Sequence, residues 1–394
     1  MRILLVGDWN PGRGGTEAYA LLLRDALEAA GDEIRLLTSS AGTRADGRAD
    51  YVAFGTSNVA AQVFLQIGNP FAAATVSRAI KEFRPDAAVV VSFAHHLSPL
   101  VLWALGKTPT LLMVTDYKLT CPLGTRLLPG GEVCHAQSGW ICHTGGCLSF
   151  AHWLRDQPRY ALIRSALSRA AGVVACGPAV AEDLAAAGFP SRALWTPLAE
   201  PGPDYSRSRA NQPLFLYCGR LEREKGVPVL LSALSLLQSG GPSAHLRIAG
   251  SGGQRPQLEA LATSLGIANC VHFLGWLAPS EIEQQMAEAW AVVMPSLWAE
   301  PQGMVAVEAI LRGVPVIASS IGGLGALVEE GQTGLLFPAG DVNALLRCLT
   351  AIAGDSVFSG RGLSIEAMQQ AAVQFNVAHH VSQLRQMLVE VKRT

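Results

Sequence analysis

Short apolar runs alternate with longer helical patterns along this chain, and the series occurs twice. The first run, Ile3-Leu4-Leu5-Val6, ends at Gly7 and leads into a glycine-rich turn, PGRGG. Ala18, Leu22, Ala26 and Ala29 then recur at helical spacing, which predicts a helix from about Thr16 to Ala30, closed by Gly31. A strand over Ile34–Thr38 follows at once and completes a βαβ unit. Further strands are expected at Ala87–Val91, Thr110–Val114 and Gly172–Cys176. Strands this apolar along their whole length predict a parallel sheet covered on both faces.

The pattern pauses at ALWTPLAEPGPDYSRSRANQPL, where Pro197, Pro201, Pro203 and Pro213 flank a polar, Ser/Arg-rich stretch. A second series starts at Leu214-Phe215-Leu216-Tyr217-Cys218-Gly219 and runs through LRIAGSG, CVHFLG, AVVMPS, PVIAS and TGLLF. The division expected is a first Rossmann-like domain over 1–198, a linker over 199–213 and a second Rossmann-like domain over 214–363. A helical tail over 364–394 is expected to pack back on the first domain. The fold class is α/β: two facing, doubly wound domains with an active-site cleft between the C-terminal ends of their strands, where ligands bind in open α/β sheets.

Composition narrows the function. The chain has 394 residues, 30 Lys+Arg against 31 Asp+Glu, 49% hydrophobic and only 15% charged residues. Such a chain outgrows one hydrophobic core and is not disordered. Its neutral balance argues against nucleic acid as a partner, since displacing counterions needs a basic surface. MRILLVGDWN turns polar too early for a signal peptide, and no apolar run is long enough to cross a membrane, so the expected location is the cytoplasm.

Three segments offer chemistry. Gly12, Gly14 and Gly15 stand between a strand and a helix, where they serve either a plain tight turn or a close approach to an anionic group at the helix start. In YCGRLEREKG, Arg220 and Lys225 sit at a strand end. They suit a diphosphate, as a bidentate fork and a point charge, or else belong to a solvated charged loop with Glu222, Arg223 and Glu224. The most specific stretch is MPSLWAEPQGMVAVEAILRGVPVIASSIGG. Glu300 lies in a Pro-interrupted loop, and a helix is expected from about Gly303 to Arg312 with Glu308 inside it. The N–H groups of Gly303, Met304 and Val305 would meet a phosphate. Glu308 either points to water or, if buried, needs a partner such as ribose hydroxyls.

These residues resemble a known family, the retaining nucleotide-sugar glycosyltransferases of family 4. The resemblance is carried by GGTEAY, PDAAVVVSFAHHLSP, TDYKLTCP, CGRLEREKG, LRIAGSGG, VHFLGWL, EPQGMVAVEAILRGVPVIAS, Gly322-Gly323 and GQTGLLF. It implies the two-lobed GT-B fold and transfer of a hexose-type sugar, with retention, from a nucleoside-diphosphate sugar, most simply a UDP-sugar. It implies that Arg220 and Lys225 neutralise the departing diphosphate, that Glu308 holds the ribose and that Glu300 contacts donor-sugar hydroxyls. The base would lie near Gly275, Trp276 and Leu277, while Gly14 and Gly15 approach the donor or the acceptor. No cofactor is required by the resemblance. The acceptor is a carbohydrate, a lipid-linked sugar or a small molecule. A nucleotide-sugar epimerase or hydrolase on the same fold, and a binding protein without catalysis, are the competing readings.

The chain departs from the family pattern at two places. Val91 stands where a histidine is common, leaving His95 or His96 to supply the imidazole for the donor sugar or to act as surface or capping residues. Thr115 precedes Asp116-Tyr117, where Asp116 could act on the acceptor hydroxyl. Cys121, Cys134, Cys142 and Cys147 crowd a Gly/Pro-rich loop over 121–147. They could hold a structural zinc, form one or two disulfides, or pack as reduced thiols. Cys176, Cys218, Cys270 and Cys348 read as core, Leu97-Ser98-Pro99 as a helix start, and His379 and His380 as surface residues of the tail.

Overall fold

The computed structural model describes residues 1–8, 15–41, 49–198, 206–354, 358 and 362–393. Two compact units divide the chain. The first comprises residues 1–124, 135–197 and 377–394, and the second residues 125–134 and 198–376.

Among the described residues seven parallel strands build the first unit: β1 (Arg2–Val6), β2 (Glu33–Ser39), β3 (Tyr51–Ala53), β4 (Ala87–Val90), β5 (Thr110–Val114), β6 (Gly172–Ala175) and β7 (Arg192–Ala193). Their spatial order is β3-β2-β1-β4-β5-β6-β7. The chain winds outward from β1 in one direction and, after β4, in the other. That reversal between β1 and β4 is a topological switch point, where loops from the two strands splay apart and leave room for a ligand. The strands read as apolar runs because both faces are covered: Ile3 to Val6 and Ala87 to Val90 are fully buried. The edge strands β3 and β7 are too short to carry a hydrophobic period, and the sequence pattern does not predict them.

The second unit repeats the plan with β8 (Leu214–Cys218), β9 (His245–Ala249), β10 (Val271–Gly275), β11 (Ala291–Met294), β12 (Val316–Ser319) and β13 (Gly334–Phe337). The order β10-β9-β8-β11-β12-β13 is again parallel, with its switch point between β8 and β11. Phe215, Leu234, Leu246, Val293 and Phe337 form the core of one sheet face with the helices Val227–Gly240 and Val342–Ala353.

The C-terminal segment divides at Asn376. The helix Ile365–Phe375 stays in the second unit and buries Ala367, Ala371 and Phe375. The helix Val377–Arg393 belongs to the first, inserting Val381, Leu384, Met387 and Leu388 among Ile3, Leu23, Ile34 and Met113. His380 corrects the sequence reading. It is 2% exposed rather than on the surface, because it shares the apolar helix face of Leu384 and Leu388. Its Nδ1 bonds the Trp195 carbonyl at 2.9 Å and its Nε2 meets the Tyr19 hydroxyl at 2.8 Å. The neutral ring is therefore satisfied at both nitrogens, and burial depresses its pKa to about 4.

A histidine depressed on folding binds its proton more tightly in the unfolded chain, so its stability contribution is complete above about pH 6.5 and is lost as pH falls toward 4. At about 1.4 kcal/mol per pH unit the loss reaches roughly 3 kcal/mol. Urea unfolding of wild type and His380→Gln across this window should show the steeper decline in wild type. Parallel declines would contradict the assignment.

Candidate active site

In the second unit β8 delivers Cys218 and Gly219 to the switch point, and the loop beyond carries both proposed cations. Arg220 is open, with 64% of its side chain exposed, and one guanidinium nitrogen donates to Glu224 Oε1 at 3.0 Å. The Tyr217 hydroxyl donates to the Arg220 carbonyl at 2.7 Å and fixes the backbone there. A single 3-10 turn over Arg223–Lys225 then aims Lys225 inward. Its ammonium donates to Glu300 Oε1 at 2.8 Å and lies 5.2 Å from the centre of the Trp298 ring. Neither side chain of that pair is much exposed, 15% for Lys225 and 7% for Glu300.

Glu300 arrives from the loop after β11. Its Oε1 also accepts from the Ser296 hydroxyl, and its carbonyl accepts from the Gly323 N–H at 2.6 Å. The Leu297 N–H donates to the Glu224 carbonyl at 2.8 Å, so the β8 and β11 loops are stitched together through backbone as well as through the ion pair. The expected helix spans Met304–Leu311 with Gly303 as its N-cap, and the Ala306 N–H makes the first intrahelical bond, to the Gly303 carbonyl. The N–H groups of Gly303, Met304 and Val305 belong to the open end of that helix, where backbone donors and the helix dipole favour an anion.

Glu308 sits one turn further on. Burial raises its pKa above the ordinary carboxylate range, opposed by Arg312. Its charge, after burial, helps push the Cys218 thiol up to about 12. Burial and then the charge of Glu300 likewise raise the neighbouring Tyr217. The two glutamates thus each act electrostatically on one of the last two residues of β8. Gly275 ends β10, its carbonyl accepting from the Gly250 N–H at 2.7 Å, and Trp276 beside it is 73% exposed.

The first unit assembles a second polar cluster at its own switch point. Asp8, directly after β1, is fully buried. Its carboxylate accepts from the backbone N–H groups of His95 at 2.6 Å, His96 at 2.7 Å and Leu97 at 2.8 Å. This shapes the loop after β4 and turns His95 toward Lys118, whose ammonium meets His95 Nε2. Asp116 follows β5 and accepts from the Lys118 N–H at 2.9 Å. His96 is 1% exposed, buried within the fold instead of lying at the surface, and its carbonyl accepts from the Asn69 side chain. Gly15 opens the helix Gly15–Ala29, whereas Gly12 and Gly14 lie outside the described residues.

Asp8 and Lys118 are missing from the sequence reading. A carboxylate directly following a fully apolar strand was a usable signal for Asp8, because burial there demands partners. Lys118 carried no comparable signal.

All eight cysteines are thiols. Cys134 lies in the second unit, on a short hairpin closed by the Leu127–Val133 bridge, while Cys121, Cys142 and Cys147 lie in the first. Among the described residues no three Cys, His, Asp or Glu side chains gather as a metal shell.

Comparison with known proteins gives each unit a counterpart. Residues 14–199 match the family model described as "Glycosyl transferase 4-like domain", and residues 203–356 match "Glycosyl transferases group 1". Over 155 residues the chain is 37% identical to a glycogen synthase of Mycobacterium tuberculosis, covering 39% of this chain and 37% of that protein. Over 146 residues it is 41% identical to a D-inositol 3-phosphate glycosyltransferase of Corynebacterium urealyticum, covering 35% and 34%. The chain thus matches little more than a third of the length of these relatives. Among solved structures, HepE of Anabaena in complex with UDP superposes with a TM-score of 0.74 at 22% identity, covering 99% of this chain and all of that one. Sucrose-phosphate synthase of Thermosynechococcus elongatus gives 0.73 at 20% identity, covering 99% and 98%. At such identities the likeness establishes the fold. No helix among the described residues is long and apolar enough to cross a membrane.

Proposed function

This chain belongs to the GT-B glycosyltransferases related to family 4, its two units matching the family's two domains, and we propose that it transfers a hexose-type sugar from a nucleoside-diphosphate sugar, most simply a UDP-sugar, to an acceptor hydroxyl with retention. The observation that carries this reading is the Arg220–Lys225–Glu300 arrangement at the ends of β8 and β11, beside the open end of the helix Met304–Leu311.

The hardest part of the reaction is leaving-group charge. As the bond from the anomeric carbon to the diphosphate oxygen lengthens, the phosphates gain negative charge and the sugar becomes oxocarbenium-like. Groups fixed in advance where that charge develops stabilise the transition state more than the bound substrate. Lys225 has three N–H donors, of which Glu300 occupies one, and Arg220 has five, so both retain donors for phosphate oxygens. Glu300, anchored by Lys225 and Ser296, keeps a second carboxylate oxygen for sugar hydroxyls. These cations and backbone donors do the electrostatic work that a divalent ion performs elsewhere. Asp116 serves the acceptor side, taking the proton of the attacking hydroxyl, and His95 offers its imidazole to the donor sugar. We place the reaction in the cytoplasm, a reducing compartment in which thiols such as Cys176 and Cys218 persist.

Incubating the protein with UDP-sugars and a panel of carbohydrate and polyol acceptors, in the presence of EDTA, tests the reading. The expected result is acceptor-dependent release of UDP and a new glycoside with the donor's anomeric configuration, at a rate that EDTA leaves unchanged. Free sugar or an epimerised donor formed equally well without acceptor would assign the site to hydrolysis or epimerisation instead.

Glu308 gives a prediction with two opposed arms. Its raised pKa means that the folded state favours the protonated carboxyl, so its contribution to stability is present below the unfolded pKa and is lost as pH rises through the folded one. At neutral pH the buried carboxylate is a cost retained for the ribose. Glu308→Gln should raise stability by about 1 kcal/mol. It should also raise donor KM roughly 10- to 100-fold through weakened hydrogen bonds to a charged acceptor. Thermal melts and donor-saturation kinetics read the two arms, and an unchanged KM would remove Glu308 from the donor site.

A further inference from the structure

Three contacts fix Lys118 between the two polar side chains of the first unit's cluster. Its backbone N–H donates to Asp116 Oδ1 at 2.9 Å, its ammonium meets His95 Nε2, and its carbonyl accepts from the Tyr160 hydroxyl at 3.4 Å. Its stem runs across Gly124, where a Cβ would come within 2.9 Å of Lys118 Cγ. A bulkier residue at 124 would push the stem aside, so the loop is shaped around this side chain.

An ammonium has N–H donors and no lone pair. For Lys118 to approach Nε2, that nitrogen must offer its lone pair, which leaves the single ring proton of a neutral imidazole on Nδ1. We infer that Lys118 is a positioning residue that locks His95 as a neutral Nδ1–H donor and holds the Asp116 carboxylate through its own backbone. The consequence is a division of labour. With Nε2 held by Lys118, His95 takes no proton there, and Asp116 is the one base of the pair.

Burial is the largest influence lowering the His95 pKa, followed by the Lys118 charge, with His96 acting in the same direction. Asp8, from the end of β1, and Asp116, after β5, act to raise it. Arg159, from the helix Phe150–Leu167, bonds the neighbouring Ala94 carbonyl at 3.0 Å and braces the same loop. Removing the Lys118 charge leaves the two carboxylates with less opposition.

The inference deepens the proposed function, which supplies the substrate that His95 touches, but its test does not depend on turnover. Long-range proton–nitrogen NMR of the full chain with labelled histidine, His95 being assigned through His95→Gln, reports tautomer and titration directly. In wild type His95 is expected as the Nδ1–H tautomer, titrating below the ordinary histidine value. Lys118→Met keeps most of the stem and should raise that titration, release the tautomer preference and carry the acid limb of kcat/KM upward with it. Lys118→Arg should keep the wild-type tautomer. A wild-type ring protonated on Nε2, or an unchanged titration in Lys118→Met, overturns the inference. Should Lys118→Met not fold, the wild-type tautomer alone decides. If the NMR result holds while His95→Gln turns over normally, the use of His95 in the proposed reaction fails and the positioning role stands.

Discussion

Lys225→Ala is expected to lower kcat by about 10²- to 10³-fold, the usual effect of deleting one preorganised donor from a site of developing negative charge. The same change strips Glu300 of its counter-ion while leaving it 5% exposed beside Ser296. Truncating one partner of a largely buried pair destabilises strongly, here by up to about 3 kcal/mol, so an activity loss alone would be ambiguous. The double variant Lys225→Met with Glu300→Gln resolves it, because the buried charges are removed together. That variant should recover most of the lost stability and none of the lost rate. If it recovers both, or if Lys225→Ala keeps wild-type kcat, the ammonium has no part in departure of the diphosphate.

The second large effect is expected at Gly226, which closes the cation loop and starts the helix Val227–Gly240. Its φ is +67°, and a Cβ there would lie 1.9 Å from the Pro295 carbonyl oxygen. No rotamer relieves that clash, because the obstacle is backbone on the neighbouring loop. Gly226→Ala must therefore part the β8 and β11 loops and with them the Lys225–Glu300 pair. The left-handed conformation costs an alanine about 1–2 kcal/mol and the forced displacement about 1–3 kcal/mol more. Urea unfolding should register that loss, and activity should fall at least as far as in Lys225→Ala. Gly240→Ala is the control, since a Cβ there meets nothing within 4 Å and the helix gains slightly from alanine. A Gly226→Ala protein as stable and active as the control would contradict the tight apposition of the two loops.

The sequence reading reached the sheets of both units, and the helix start at Gly303, because these are written locally. Ile3–Val6, Leu214–Cys218 and Ala291–Met294 announce buried parallel strands by composition alone, and the Gly303-to-Glu308 segment announces a helix start with a carboxylate in an apolar setting. What escaped depends on contacts between distant segments. The Lys225–Glu300 pair joins residues 75 apart, and Asp8 holds a loop 87 to 89 residues downstream. No periodicity reports such partners. Residues 125–134, with Cys134, fall in the second unit, a division that no local pattern reports. His380 is a different kind of miss: its spacing to Leu384 and Leu388 places it on the buried helix face despite its polarity.

The central claim is that a diphosphate is held at the ends of β8 and β11. A crystal structure of the protein with a bound UDP-sugar tests it most directly. The account predicts phosphate oxygens within hydrogen-bond distance of Arg220, of Lys225 and of the N–H groups at Gly303 to Val305, with the ribose hydroxyls on Glu308. A diphosphate bound elsewhere, or one seated there with Arg220 and Lys225 both turned away from it, would contradict the account.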